Sequence, residues 1–305
     1  MLAAAPAPNL FAPKALAARN QAQAKLRPFY VNHLDEGDDV SALMQDRAAM
    51  NRRLGIPDDE ISIIEFSMPW VGTTNSVPTL FWLFAHVLTS PDLVARVRSE
   101  VQAVTAVTTD ALGGRTAAAI DVAGLDKACP ILLSCYRETL RLYSDQLGNR
   151  RVMADTTLRD PDSGHEYLLR KGVHVQWPSI VPHRLKSVWG ADANEFRPDR
   201  FVDTPSAEEE KLRQGANIPF GGGRHLCPGR NFARAEILGM VGALALGFEV
   251  EGARVPAAAD PYLGTAMQRP EWEGQNPGLR VTRRIGWEDV RWSFLCGEKH
   301  EARGK

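Results

Sequence analysis

The chain has 305 residues, 44% of them hydrophobic, and a formal net charge of -1. That length suits a globular protein with one large core or two smaller ones, and the charge balance argues against nucleic acid as a main partner. The cysteines Cys129, Cys135, Cys227 and Cys296 form no Cys-x-x-Cys pair, which argues against a disulfide framework and fits a reduced, intracellular protein.

Residues 1–60 read as an N-terminal helical segment and 61–305 as a core that forms one domain with it. The first 34 residues lack acids and carry Lys14, Arg19, Lys25 and Arg27. An organelle presequence has this composition, and so does an exposed helix, which is the reading adopted. Pro6 and Pro8 interrupt the apolar run that a secretory signal needs, and no membrane anchor is visible in this chain. A helix is expected over Pro13–Leu26, then an acidic turn at Asp35–Asp39. A second helix fits Val40–Leu54, closed by Gly55. Nothing in this segment carries recognisable chemistry.

Residues 61–89 are the longest apolar run, long enough to cross a bilayer. Glu65, the polar centre Thr73-Thr74-Asn75-Ser76, Pro69 and Pro78 favour a core helix instead. Pro78 has no N–H, so the Thr74 carbonyl loses its helical partner and a kink with a polar notch is expected there.

Ser90-Pro91-Asp92 is a helix start, with Leu93, Val94, Val97, Val101 and Val104 as its buried stripe. Gly113-Gly114 marks a loop. Pro130 opens a helix to about Leu142, on which Glu138 and Arg141 share a face. The apolar neighbours Leu132, Leu133, Tyr136 and Leu140 place that pair in partial burial, where it needs further partners. Arg200 is the candidate. Short strands follow at Thr157-Leu158, Tyr167–Leu169 and Val173–Gln176, punctuated by Pro161, Gly164 and Gly172.

The run Phe220-Gly221-Gly222-Gly223-Arg224-His225-Leu226-Cys227-Pro228-Gly229 is a tight glycine loop that feeds a helix over Arg230–Leu246. Glycines permit positive φ and close approach of a flat partner. The helix start offers free N–H groups and a dipole that favour an anion, the form in which a thiol binds metal. One cysteine cannot build a zinc site, but it suffices for heme iron, whose other in-plane donors come from the porphyrin. A glycine-rich turn holding a buried cysteine is the bland alternative. Leu238, Val241, Ala245 and Phe248 form the buried face of the helix that follows. The rest, to Lys305, reads as strand and tail.

The spacing Phe220-x-x-Gly223-x-His225-x-Cys227-x-Gly229 resembles the heme-binding signature of cytochrome P-450, the heme-thiolate monooxygenases. Glu138-x-x-Arg141, then Pro198-Asp199-Arg200-Phe201, resemble that family's structural triad, in the family's order. The resemblance covers about residues 61–290. It implies a mainly α fold with small β-sheets, the C-terminal part of the P-450 fold, apparently shortened at its N-terminus. It implies heme with Cys227 as axial ligand, whose electron donation helps cleave an O–O bond. Phe220 belongs to the heme-binding loop. His225, and Arg150 or Arg151, stand where the family contacts the heme propionates, one of the two arginines being only a surface charge. Thr74 and Asn75 stand where the family usually has an acid and a Thr for proton delivery, and an amide has no titratable proton.

Asn75-x-x-Pro78-x-x-Phe81-Trp82 is similar to the branch with prostacyclin synthase and the cholesterol and bile-acid hydroxylases. Three readings follow. One is a monooxygenase acting on a hydrophobic small molecule (a sterol, a terpenoid or another lipid-like or secondary metabolite), with an NADPH-cytochrome reductase as electron donor. The others are a redox-independent isomerase or dehydratase of a peroxide, and a truncated, inactive heme binder. Family members often sit at the endoplasmic reticulum membrane.

Overall fold

The computed structural model describes residues 12–203, 205–259, 266–271 and 278–296. The chain divides into two compact units, Met1–Thr74 and Asn75–Lys305.

The first unit is helical: α1 (Pro13–Val31), a 3-10 turn at Leu34–Glu36, α2 (Ala42–Arg53), α3 (Asp58–Glu65) and α4 (Ser67–Val71). α1 runs past the expected end at Leu26, through Pro28. Its small core is Tyr30, Ala48 and Ile61. Two carboxylates buried beside that core are paired. Glu65 accepts from Arg47 at 2.7 and 3.0 Å and from Asn51 at 3.0 Å. Asp35 accepts from both terminal nitrogens of Arg52 at 2.8 and 2.9 Å. Burial without such partners would cost several kcal/mol per charge.

The apolar run continues as a single π turn, Gly72–Ser76, into α5 (Val77–Leu88). A helical register change therefore sits immediately before Pro78, where the missing N–H disrupts the regular ladder. Thr79 Oγ1 donates to the Asn75 carbonyl at 2.7 Å and takes up an acceptor there. Trp82, Leu83, Val87 and Leu88 of α5 are buried in the main core. No single described helix is long and apolar enough to cross a membrane.

In the second unit α6 (Pro91–Ala103) is capped by Ser90, whose hydroxyl accepts from the Leu93 N–H at 3.4 Å. Leu93, Val97 and Val101 are its buried stripe. A short helix α7 (Leu125–Ala128) precedes α8 (Pro130–Tyr143). Glu100 of α6 accepts from the Ile131 and Leu132 N–H groups at 2.8 and 3.1 Å. That places a carboxylate on the free donors and positive dipole end of α8.

Then come the small sheets, with β1 (Thr105–Thr109), β2 (Arg115–Asp121), β3 (Leu147–Arg151), β4 (Thr156–Arg159), β5 (Glu166–Leu169) and β6 (His174–Pro178). The short helices α9 (Ile180–His183) and α10 (Lys186–Trp189) lead to α11 (Ala207–Ala216) and the long α12 (Arg230–Gly247). β7 (Phe248–Glu251), β8 (Arg280–Arg283) and β9 (Arg291–Leu295) close the described chain. β1, β2 and β9 form one sheet, with β2 and β9 parallel; β3–β6, β4–β5 and β7–β8 are antiparallel pairs.

The architecture is mainly helical with small sheets, as expected. The expected Gly113-Gly114 loop is the turn of the β1–β2 hairpin. One detail differs. Phe248, expected on the last helix face, begins β7 instead, because α12 ends at Gly247 with Phe248 in extended backbone. α12 packs on α5, α6 and α8, and its buried residues begin at Ile237, well past the cysteine loop.

Candidate functional site

α8 carries the first half of the site. Glu138 and Arg141 are completely buried, and Arg200 is 1% exposed. Arg141 Nε and Nη2 each reach a Glu138 carboxylate oxygen at 2.7 Å, and Arg200 Nε reaches Glu138 Oε1 at 2.8 Å. The remaining donors are used as well. Arg141 Nη1 donates to the carbonyls of His183 and Ala193 at 2.7 and 2.6 Å. Arg200 donates to the carbonyls of Trp189 and Asp192 at 2.9 and 3.0 Å. The Arg197 N–H adds a bond to Glu138 at 3.1 Å. Buried charge is tolerated here because each guanidinium is bonded on more than one side.

The loop between α11 and α12 carries the second half. Gly221 has φ +75° and Gly223 φ +62°, the left-handed region that β-carbon-bearing residues avoid. Gly223–His225 form a 3-10 turn. The chain then folds back so that the Cys227 N–H donates to the Phe220 carbonyl at 3.0 Å. A β-carbon on Gly229 would stand 4.0 Å from Cys227 Sγ, so that glycine backs the sulfur. Cys227 lies three residues before the first residue of α12 and is only half-buried. Cys129 and Cys135, by contrast, are buried, and burial pushes both thiols up to about 12. Of these three thiols, Cys227 alone is both accessible and at a helix start.

Three side chains hold the loop. Arg150 Nη2 donates to the Gly222 carbonyl at 3.2 Å, and Arg230 Nη1 to the Cys227 carbonyl at 3.0 Å. The third is His183, whose Nε2 accepts the Ile218 N–H at 2.9 Å. Trp177, paired with Gly148 across β3 and β6, lies over that glycine, and the Arg150 guanidinium stands 5.5 Å from its ring centre. Alternation along β3 leaves Arg151 exposed on the opposite face.

Behind the loop is a hollow of about 290 Å³, lined by Tyr136 and Leu140 of α8, Phe220 and Leu226 of the loop, and Arg230 and Arg234 of α12. Tyr136 Oη is buried there without a hydrogen-bond partner, and burial lifts the phenol well above its ordinary range. His225 is exposed on the 3-10 turn.

Among the described residues no group of three or more His, Cys, Asp or Glu side chains could hold a metal ion. The donor set at the loop is a lone thiol, which fits a metal that arrives with its own equatorial ligands. The residues present therefore fit heme. Thr74 and Asn75 lie on the π turn, Thr74 closing the first unit and Asn75 opening the second. Thr74 is exposed, and its hydroxyl donates to the Trp70 carbonyl at 2.7 Å.

The model of the cytochrome P450 family matches residues 18–270. The chain belongs to the cytochrome P450 family. A cytochrome P450 monooxygenase of Gibberella zeae is 39% identical over 292 residues, covering 93% of this chain and 55% of the relative. The monooxygenase nodJ of Hypoxylon pulicicidum is 27% identical, covering 95% and 56%. The human 7-alpha-hydroxycholest-4-en-3-one 12-alpha-hydroxylase is 28% identical, covering 72% and 44%. The chain thus spans about half the length of the curated relatives it matches. Cytochrome P450 proteins bind heme through a cysteine thiolate, and Cys227 lies within the matched residues, as Cys129 and Cys135 do.

Sequence reasoning missed two buried histidines. His183 ties the loop to α9. His86 of α5 stacks on Phe196 with ring centres 3.8 Å apart and meets Tyr143 Oη at 2.8 Å. Burial pulls both rings down to about 4, with Arg141 adding to the effect at His183. His183 stands next to Arg184, and nothing local marks the ring as a loop contact.

Proposed function

We propose that this chain carries the heme-thiolate centre of a monooxygenase that inserts one oxygen atom from O₂ into a hydrophobic small molecule. Heme bound here would supply oxygen activation and substrate oxidation. The supporting observation is Cys227: an accessible thiol on a loop with two positive-φ glycines, at the start of α12. Cys227 would hold the heme iron through its sulfur, and the free N–H groups of the helix start would stabilise the thiolate charge. Phe220 walls the loop. Arg150, already fixed against the Gly222 carbonyl, is the arginine assigned to a propionate; Arg151 is the surface charge. His225, exposed beside the cysteine, is assigned to the other propionate. Thr74 and Asn75 are assigned to water and proton handling, with the Asn75 amide orienting a water rather than giving up a proton.

The relatives' names support the reaction class, and the human relative is named for a sterol-like substrate. A sterol, a terpenoid or a comparable secondary metabolite is the proposed substrate class, and an NADPH-linked reductase the electron source. An amide at position 75, in place of a proton-donating group, supports a second reading: isomerisation or dehydration of a substrate that already holds an O–O bond, without reductase.

Heme loading of the wild type and of Cys227→Ala tests the centre. The wild type should give the thiolate-type Soret band when reduced under CO, and Cys227→Ala should not. Identical spectra from both would end the proposal. Product from a hydroperoxide without NADPH would favour the second reading over the first.

A further inference from the structure

We propose that His183 is a positioning residue that latches the cysteine loop to the buried triad. The proposal rests on the heme-thiolate reading above and adds a residue to it. His183 is completely buried at the end of α9. Its two ends face different parts of the site. The backbone carbonyl accepts from Arg141 Nη1 at 2.7 Å, and the ring Nε2 accepts from the Ile218 N–H at 2.9 Å. Because an N–H group must find a lone pair, Nε2 carries no proton and Nδ1 carries it.

From Ile218 the bonding continues into the loop. The Ile218 carbonyl accepts from the Gly221 N–H at 3.0 Å, and the Phe220 carbonyl accepts from the Cys227 N–H at 3.0 Å. Glu138, Arg141, His183, Ile218, Phe220 and Cys227 therefore form one connected track from the triad to the ligand. The other two tethers differ in kind. Arg230 is three residues from Cys227 and anchors the loop only to its own helix. Arg150 grips the loop from the half-exposed face of β3. His183 is the fully buried link.

The site preserves the neutral ring. Arg141 and Arg184 are the charged groups that face it, both cations, and burial opposes its protonation as well. Nδ1 is buried with no partner in its own right. A ring kept in place with an unsatisfied donor is costly unless its other nitrogen matters. The Ile218 bond is what that nitrogen does.

The test compares His183→Leu, which removes the acceptor, with His183→Gln, which retains a side-chain oxygen. In heme-free protein, amide exchange over residues 218–227 should rise about tenfold in His183→Leu, the size expected for losing one buried hydrogen bond. His183→Gln should recover part of it. In heme-loaded protein, His183→Leu should show a larger share of the thiol-type CO band, with the circular dichroism of the wild type. Unchanged exchange together with an unchanged CO band would overturn the proposal. Should His183→Leu fail to fold, nitrogen-15 histidine NMR of the wild type decides: a ring protonated at Nε2 overturns the latch, and one protonated at Nδ1 upholds it. A wild type without any thiolate-type band would sink the heme-thiolate reading while leaving the exchange result standing.

Discussion

The buried triad and the cysteine loop solve opposite problems only a few residues of contact apart. Glu138, Arg141 and Arg200 are sealed from water and their charges are saturated with bonds. The loop keeps Cys227 half-exposed and is held by three side-chain bonds. A thiol that binds heme, the role proposed for Cys227, must meet a large flat partner, so its sulfur cannot be buried by protein alone. Its backbone must nevertheless stay in place before that partner arrives. The contrast teaches that rigidity here is stored behind the loop and not in it.

The largest way to break the contrast is to open the triad. Glu138→Ala strands two buried guanidinium groups, and Arg200→Ala strands part of the carboxylate. Each should cost about 3–5 kcal/mol of unfolding free energy, measured by urea titration of the heme-free protein. A loss under about 1 kcal/mol for Glu138→Ala would mean that the triad adds little beyond a surface ion pair.

Acid gives the next effect. His86 and His183 both sit near 4 when folded, against roughly 6.5 when unfolded. A depressed histidine favours its neutral form in the fold. Its contribution is therefore complete above about 6.5 and is lost as pH falls toward 4, on the order of 2–3 kcal/mol per ring. Stability followed by urea midpoint between pH 7 and pH 4 should fall less steeply in His86→Phe than in the wild type. Parallel curves would show that neither burial nor the Phe196 stack keeps the ring neutral.

The smallest effect belongs to the loop itself. Gly221→Ala forces a β-carbon onto φ +75° and near the Gln146 amide at 3.3 Å. The cost should be about 1–2 kcal/mol. It should be accompanied by slower heme uptake at equal far-ultraviolet circular dichroism. Equal uptake would show that the turn relaxes without moving the sulfur, and would place the control of ligand geometry wholly with the tethers.

Much of the site was legible because its signals are local. Gly221, Gly223 and Cys227 lie within seven positions of one another, and Ser90 marks the start of its helix by chemistry visible in three residues. The Glu138 and Arg141 pairing is a one-turn relation on a single helix. Arg200 was reachable only through its flanking Pro198 and Phe201. The hairpin of β1 and β2 was not legible, since its strand Arg115–Asp121 holds three alanines and shows no strong alternation. Its order comes from pairing with Thr105–Thr109 on one side and Arg291–Leu295 on the other.

By itself the sequence determined the glycine loop, the placement of Cys227 at a helix start and the pairing of Glu138 with Arg141. Those follow from backbone sterics and from spacings of a few residues. Only the tertiary structure decided that Arg150 and not Arg151 turns to the loop, and that His183, 35 residues before Ile218, supplies its anchor. Such bonds depend on how separate elements pack. A ring nitrogen carries no mark in the sequence of which distant N–H will reach it.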